Sequence, residues 1–151
     1  MEPLSGTLAI VSFLALAAWI GEVVTLNVVV VPALGRMEDG NQKWFLARMF
    51  PLFFRLATVL SLCAVGFGAA SVALAPGEIP NGVTTGGCIL ILLTAFHLLI
   101  ESRLRPLART LPEEEGDELL RFFVKFLRIV PRVGLIVVVS AFVILVVSVG
   151  G

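Results

Sequence analysis

Four long apolar stretches, separated by short polar segments, set the pattern of this chain of 151 residues. The stretches cover about 8–34, 49–74, 86–103 and 129–149. About 20 apolar residues suffice for a helix to cross the ~30 Å hydrocarbon core of a bilayer. Because a helix satisfies its own backbone hydrogen bonds in lipid, the pattern predicts an all-α integral membrane protein, folded as one four-span domain and packed as a four-helix bundle.

The polar segments between these stretches predict turns and the start of one further helix. GRMEDGNQK at 35–43 and APGEIPNGVTT at 75–85 are rich in turn-forming residues. Thr110 and Glu113 have the spacing of a capping box, which predicts a new helix at this point. Its amphipathic part, about 111–128, is expected to lie at the cytoplasmic interface or to prolong the fourth span.

Prolines and small residues inside the spans predict local features. Pro32 is expected to stop or bend the first span near its end, and Pro131 to kink the fourth. Gly66 and Ala70 are four residues apart, so they form a face that another helix could approach closely. Ordinary small-residue content of a membrane helix is the alternative interpretation of that pair.

The basic residues predict the orientation of the chain. All 11 Lys and Arg fall within two windows, 36–55 and 103–132. Cytoplasmic loops retain basic residues, and two windows separated by two spans lie on the same side of a membrane. We therefore expect a multi-pass protein of the cell (plasma or inner) membrane, with both termini outside the cytoplasm.

Composition excludes several classes of protein. The chain is 58% hydrophobic, above the roughly 45–50% typical of soluble domains. Its net charge is zero, and its basic residues flank spans beside acidic ones, so the bilayer is expected as a partner and nucleic acid is not. Cys63 and Cys88 lie within apolar stretches without CxxC spacing and form no recognisable zinc or redox motif.

The two halves of the chain share a short pattern at an offset of 73 residues. The segments 48–55 and 121–128 both read RxFxxFxR, immediately before the second and fourth spans. One interpretation is a duplicated two-span hairpin, whose copies are related by an axis along the membrane normal. The other is that each segment is an independent interfacial anchor, with Arg for the headgroups and Phe for the acyl boundary.

Ionisable and polar groups inside the spans are the candidates for a functional site, because such groups are expensive in lipid and face protein or water. The candidate intramembrane polar site consists of Glu22, Asn27, Arg55, His97 and Glu101. The hypothesis is that these side chains converge between the helices. The alternative is that Arg55 and Glu101 are interfacial charges and only Glu22 with His97 needs a buried explanation.

Cofactor chemistry has little support in the sequence. His97 and Glu101 are four apart on one helical face and form a weak metal pair, whereas a stable site usually needs three or four ligands. Copper(I) prefers Cys and Met, and a haem could use His97 as one axial ligand. No nucleophile triad, phosphate loop or dinucleotide turn is present, so an enzyme is not expected.

Three segments of the first half carry a resemblance to a known group: Ala18-Trp19-Ile20-Gly21-Glu22, Val31-Pro32-Ala33-Leu34 and Phe50-Pro51-Leu52-Phe53-Phe54-Arg55-Leu56. Together they resemble the small four-span membrane proteins of the CopD-like (copper resistance D) and transmembrane protein 205 type. The CopD-like resemblance implies import or handling of copper. This chain lacks the His and Met enrichment that would support such a role.

A second resemblance, to the bacterial membrane protoporphyrinogen oxidase, comes from the segment Phe126-Leu127-Arg128-Ile129-Val130-Pro131. That haem-associated family relies on a histidine in its first span, which is absent here.

Three hypotheses about function result. The chain handles or transports a metal ion (copper) or small solute through its polar site, as a homo-oligomer, since one bundle is small for a pathway. Alternatively, it is a structural or accessory subunit of a membrane complex. The third hypothesis is a haem-binding redox protein.

Overall fold

The computed structural model of the chain describes residues 2–75 and 77–150. Four long helices account for most of these residues and no strand occurs among them. Helix α1 covers 2–34, α2 is Asp39–Leu74, α3 is Asn81–Thr110 and α4 is Glu118–Gly150. Each helix is long and apolar enough to cross a membrane. The prediction of an all-α protein with four potential spans is confirmed.

The helices form a four-helix bundle in which each helix packs against its neighbours in sequence, and α4 closes the ring against α1. Short connections make sequential helices antiparallel. Both described chain ends and the connection between α2 and α3 lie at one end of the bundle, which we call the terminal end. The connections 35–38 and 111–117 lie at the other, which we call the basic end.

Small residues bring the helices together at the terminal end. Ser71 Oγ donates a hydrogen bond of 2.8 Å to the carbonyl oxygen of Ser5, which joins α2 to α1. On α3, a Cβ at Gly82 would overlap the Ser148 side chain, and one at Gly86 would lie 2.7 Å from Leu145 Cγ. Glycine is therefore required where α3 crosses α4, because any side chain would push the helices apart.

The pair singled out in the sequence lies elsewhere. Gly66 is exposed, and a Cβ placed there would have nothing within 4 Å. The close approach on α2 occurs instead at Gly68, whose added Cβ would lie 3.0 Å from Ser12 Oγ. Ser12 Oγ also donates to the carbonyl oxygen of Ala64 at 2.6 Å. The face of α2 that approaches α1 is thus the one carrying Ala64 and Gly68.

The helix leading into the fourth span begins later than the capping-box pattern predicts. Residues Leu111–Glu113 form a 3-10 turn that continues α3, and α4 begins at Glu118. Thr110 makes no side-chain cap, because its hydroxyl donates to the carbonyl of Leu107 at 2.8 Å. No separate helix covers 111–128. Instead α4 is continuous from Glu118 to Gly150, so its amphipathic part prolongs the fourth apolar stretch.

Pro32 does not end α1, which widens into a π-helical segment, Leu26–Val30, before continuing as Val31–Leu34. The Val31 N–H donates to the carbonyl of Leu26, five residues back. Proline has no N–H, and its ring collides with the carbonyl four residues earlier, here that of Val28. The wider turn accommodates both effects without breaking the helix. Pro131 likewise lies inside α4, which continues through it.

Charged side chains on the four helices appear at a similar distance from the terminal end. There Ser5 lies level with Ser71, and Gly82 with Ser148. Counted from these contacts, the first charged residues lie about 16 to 19 positions away, or about 24–29 Å along the helices. They are Glu22, Arg55, Glu101 and Arg132. We call this plane the charged level; the apolar slab beside it matches the ~30 Å core of a bilayer.

Candidate functional site

A cavity of about 270 Å³ lies between the helices at the charged level. It is bounded by residues of all four helices, and its wall is apolar except for the polar atoms of Trp19, Glu22 and His97. The apolar lining includes Phe54 of α2 and Pro131 of α4. Two candidates from separate spans, Glu22 and His97, therefore open onto one space. Apolar cavities with a few convergent polar groups are the usual form of small-molecule sites.

His97 is fixed by its own helix and by two aromatic rings. Its Nδ1 lies 3.0 Å from the carbonyl oxygen of Leu93, and a carbonyl can only accept, so Nδ1 carries the hydrogen. In the neutral ring Nε2 is then an acceptor. The imidazole meets the Trp19 indole edge-on, with centroids 5.3 Å apart and planes at 80°, and lies 6.0 Å from the Phe54 ring. These contacts hold the ring in one orientation beside the cavity.

Two polar groups of the cavity wall have no protein partner among the described residues. Trp19 is fully buried and its Nε1, a donor, makes no hydrogen bond. Within 2–75 and 77–150, the half-buried Glu22 carboxyl makes neither a hydrogen bond nor an ion pair. Buried polar groups are nearly always paired, and an unpaired one is costly. The residues of the cavity wall thus include an unpaired indole N–H, a carboxyl group and an imidazole acceptor.

Glu101 is engaged outside the cavity. Its Oε2 lies 2.8 Å from the Thr58 hydroxyl of α2, and its Oε1 accepts a hydrogen bond of 3.3 Å from Arg105 Nη1. His97 and Glu101 occupy neighbouring positions on α3, yet one lines the cavity and the other faces α2. Glu101 is therefore a link between α2 and α3 at the charged level. Thr58, its partner, was not singled out by the sequence.

Asn27 and Arg55 do not line the cavity. Asn27 lies in the π-helical segment, where its Nδ2 donates to the carbonyl of Val23 at 2.8 Å. This bond stays within α1 and satisfies the amide beside the widened turn. Arg55 is exposed and forms no ion pair with another described residue. Of the five candidates, the structure brings Glu22 and His97 together and leaves the other three apart.

Potential metal ligands are dispersed over the described residues, among which no group of three or more His, Cys, Asp or Glu could hold an ion. Cys88 lines a second cavity, of about 360 Å³, nearer the terminal end. Cys63 is half-buried and lines neither cavity. His97 and Glu22 are the two potential ligands that share the first cavity.

Trp19 is the cavity residue that sequence reasoning missed as a member of the site. Trp19 and Glu22 are three residues apart, so both lie on the same face of α1. That spacing could have joined them before the structure was known. No spacing in the sequence predicts the contact between Trp19 and His97, because it depends on how α1 and α3 face each other across the bundle.

Comparison with models of known protein families, with curated proteins and with solved structures finds no match for this chain.

Proposed function

We propose that this chain is a multi-pass membrane protein that binds a small amphipathic solute in the cavity at the charged level. The observation that carries the proposal is the shared cavity itself, with Glu22, Trp19 Nε1 and His97 as its polar groups. The apolar wall receives the body of the solute, and the three polar groups receive its head. The CopD-like resemblance is part of this proposal, in its solute-handling form.

A solute is favoured over a copper ion because of the chemistry of the cavity wall. His97 and Glu22 supply two potential ligands, whereas stable sites usually use three or four and copper(I) prefers sulfur. Handling of a metal ion would need further ligands from a second copy. Elemental analysis of the purified protein tests this version, and copper present in equimolar amount would replace the solute proposal.

Haem binding is a weaker proposal still, since one imidazole nitrogen is available to it at most. Nδ1 of His97 is bonded to the Leu93 carbonyl, which leaves Nε2 for an axial position. A Soret band in the absorbance spectrum of the purified protein would support haem binding, and His97→Ala should then abolish that band.

Glu22→Gln tests the solute site directly. The substitution keeps the size of the side chain and removes its capacity for negative charge. We expect binding of benzylamine to the full chain in lipid nanodiscs, measured by saturation-transfer NMR, to weaken by at least about tenfold, the lower end of the contribution of a hydrogen bond to a charged group. Benzyl alcohol should lose much less.

The control is Glu78→Gln, which removes an exposed carboxylate from the loop at the terminal end. It should leave the affinity for benzylamine unchanged. Equal affinity of the wild-type protein and Glu22→Gln, with both folded, would overturn the proposed site.

We further propose that the basic end faces the cytoplasm and that both termini lie outside. The two basic windows support this orientation, because both belong to the basic end of the bundle. The test is a Glu114→Cys variant in which Cys63 and Cys88 are replaced by Ala. A membrane-impermeant thiol reagent should label Cys at position 114 only after intact cells are opened. Labelling in intact cells would reverse the orientation.

Duplication of a two-helix hairpin is a further part of the proposal. Phe50 and Phe123 occupy equivalent positions of the RxFxxFxR segments, and their rings meet edge-to-face with centroids 5.0 Å apart. Equivalent residues of two related units meet where they lie beside the symmetry axis. This contact supports a pseudo-twofold axis along the bundle.

One observation favours a second candidate function, that of a subunit in a membrane complex. Val28 and Val29 of α1 are 66% and 58% exposed and lie between the charged level and the basic end. Here the other helices carry exposed charges, so lipid is not the natural cover for this face. A photo-crosslinker at position 28 should give a protein adduct in cells, and one at Val139, within the apolar slab, should give lipid adducts. Lipid adducts at both positions would remove this candidate.

A further inference from the structure

Basic side chains form a stripe along the part of α4 that extends beyond the charged level. Arg121, Lys125, Arg128 and Arg132 follow one another at intervals of four, three and four residues, which places them on one face of the helix. All four are exposed. None of them forms an ion pair with another residue of the described chain.

Three of these side chains line an open groove of about 550 Å³ at the basic end, between α4 and the start of α2. Two acidic residues share the groove. Asp117 is paired with Lys43 at 3.3 Å, which leaves the exposed Asp39 as the remaining negative charge. The groove therefore carries three positive charges against Asp39, an excess of two that no ion pair among the described residues offsets.

An apolar strip runs beside the groove on the same helix. Phe122 and Ile129 are seven residues apart, lie on one face of α4 and are 47% and 52% exposed. Ile129 and Arg128 lie about 4 and 6 Å from Arg132 along the helix, and Lys125 lies about 10 Å away. Phe122 and Arg121 lie farther out, at about 15 and 16 Å. The headgroup zone of a bilayer is on the order of 5–8 Å deep, and long basic side chains extend their reach toward it. The inner part of the groove, with Arg128 and Lys125, thus lies beside Ile129 at the depth of the headgroups.

We propose that this groove is a binding site for the phosphate-bearing headgroup of an anionic phospholipid. Arg128 and Lys125 bind the phosphate, Arg121 adds positive charge at the outer end of the groove, and the acyl chain enters the bilayer along Ile129. Charge complementarity selects an anionic lipid, because a zwitterionic headgroup gains little from a groove with an excess of two positive charges. The site is separate from the cavity at the charged level and does not depend on the solute proposal.

The test compares two triple variants of the full chain in detergent, titrated with short-chain phosphatidylglycerol or phosphatidylcholine and followed by native mass spectrometry. The groove variant is Arg121→Gln, Lys125→Gln and Arg128→Gln. The matched control is Arg36→Gln, Arg103→Gln and Arg109→Gln, which removes equal charge from exposed residues outside the groove. A basic residue near an anionic surface contributes about a fivefold factor, so the groove variant should bind phosphatidylglycerol about a hundredfold more weakly.

The control variant should stay within about fivefold of wild type, and phosphatidylcholine should bind all three proteins equally and weakly. Lys125→Gln alone, with an expected fivefold loss, keeps the test valid if the triple variant does not fold. Equal losses in the groove and control variants would overturn the proposal. Inorganic phosphate that displaces phosphatidylglycerol at an equal concentration would also overturn it, by making the site one for free phosphate.

Discussion

The imidazole of His97 lies edge-on against the indole of Trp19, with ring centroids 5.3 Å apart, and this contact joins the diagonal helices α3 and α1 across the bundle. Edge-to-face pairs contribute about 0.5–1.5 kcal/mol beyond the area they bury. Both residues line the cavity, and within 2–75 and 77–150 neither Trp19 Nε1 nor His97 Nε2 has a hydrogen-bond partner.

Trp19→Phe removes the unpartnered indole N–H and keeps an aromatic ring against His97. We expect the affinity for benzyl alcohol to fall by about fivefold, the typical contribution of one neutral hydrogen bond. The reason is that the protein no longer donates the indole N–H to the oxygen of the solute. Saturation-transfer NMR with the full chain in nanodiscs measures the change. Trp44→Phe is the control, since Trp44 is exposed and lies outside the cavity. The assignment of the donor fails if the two variants behave alike.

Gly82→Ala should destabilise the bundle by about 1–3 kcal/mol, because the new Cβ overlaps the Ser148 side chain and forces α3 away from α4. Gly87→Ala is the matched control on the same helix, since a Cβ there meets nothing within 4 Å. It should be neutral or slightly stabilising, because alanine is the better helix former. Thermal unfolding in detergent distinguishes them, and equal melting temperatures would contradict the close approach at Gly82.

Thr58 and Glu101 are expected to stabilise the protein as a pair. Thr58→Val and Glu101→Ala each remove one partner of the 2.8 Å contact between α2 and α3. Side-chain hydrogen bonds between membrane helices contribute about 0.6 kcal/mol on average, so a double-mutant cycle should give a coupling free energy of about 0.5–1.5 kcal/mol. Additive effects of the two substitutions would show that the contact makes no contribution of its own.

Lys43→Gln should loosen the connection between α3 and α4. Lys43 Nζ donates to the carbonyl oxygens of Glu114 and Gly116 at 2.8 and 3.0 Å and pairs with Asp117. Loss of this cation leaves two carbonyls without a donor, and amide hydrogen exchange over 114–118 should accelerate about fivefold. Arg36→Gln removes an exposed cation that forms no ion pair within residues 2–75 and 77–150, and it serves as the control. Unchanged exchange in Lys43→Gln would contradict this anchoring role.

The sequence predicted the number, type and approximate positions of the helices. The run of apolar residues at 49–74 lies within α2, and the run at 129–149 lies within α4. Helix boundaries were harder to predict from the sequence where two local patterns competed. At Thr110 the capping-box spacing is present, yet the hydroxyl donates within α3 and the next helix begins eight residues later, at Glu118.

Part of the candidate site could also be predicted from the sequence. Glu22 and His97 stand out because each is a polar group in an apolar run, and the structure places both in the wall of one cavity. The sequence grouped Glu101 with His97 because they are four residues apart. The structure separates them, since the rotation of α3 directs Glu101 toward Thr58 and leaves His97 beside Trp19.

The sequence by itself determined which segments are helices and where basic residues are absent, because both follow from the cost of placing each side chain in lipid, a property of composition along the chain. The tertiary structure decided which faces meet: Gly82 against Ser148, His97 against Trp19, and Glu22 against the cavity. Helical periodicity places a residue on a face of its own helix. The neighbour of that face depends on the rotation and level of each helix, which packing between distant parts of the chain sets.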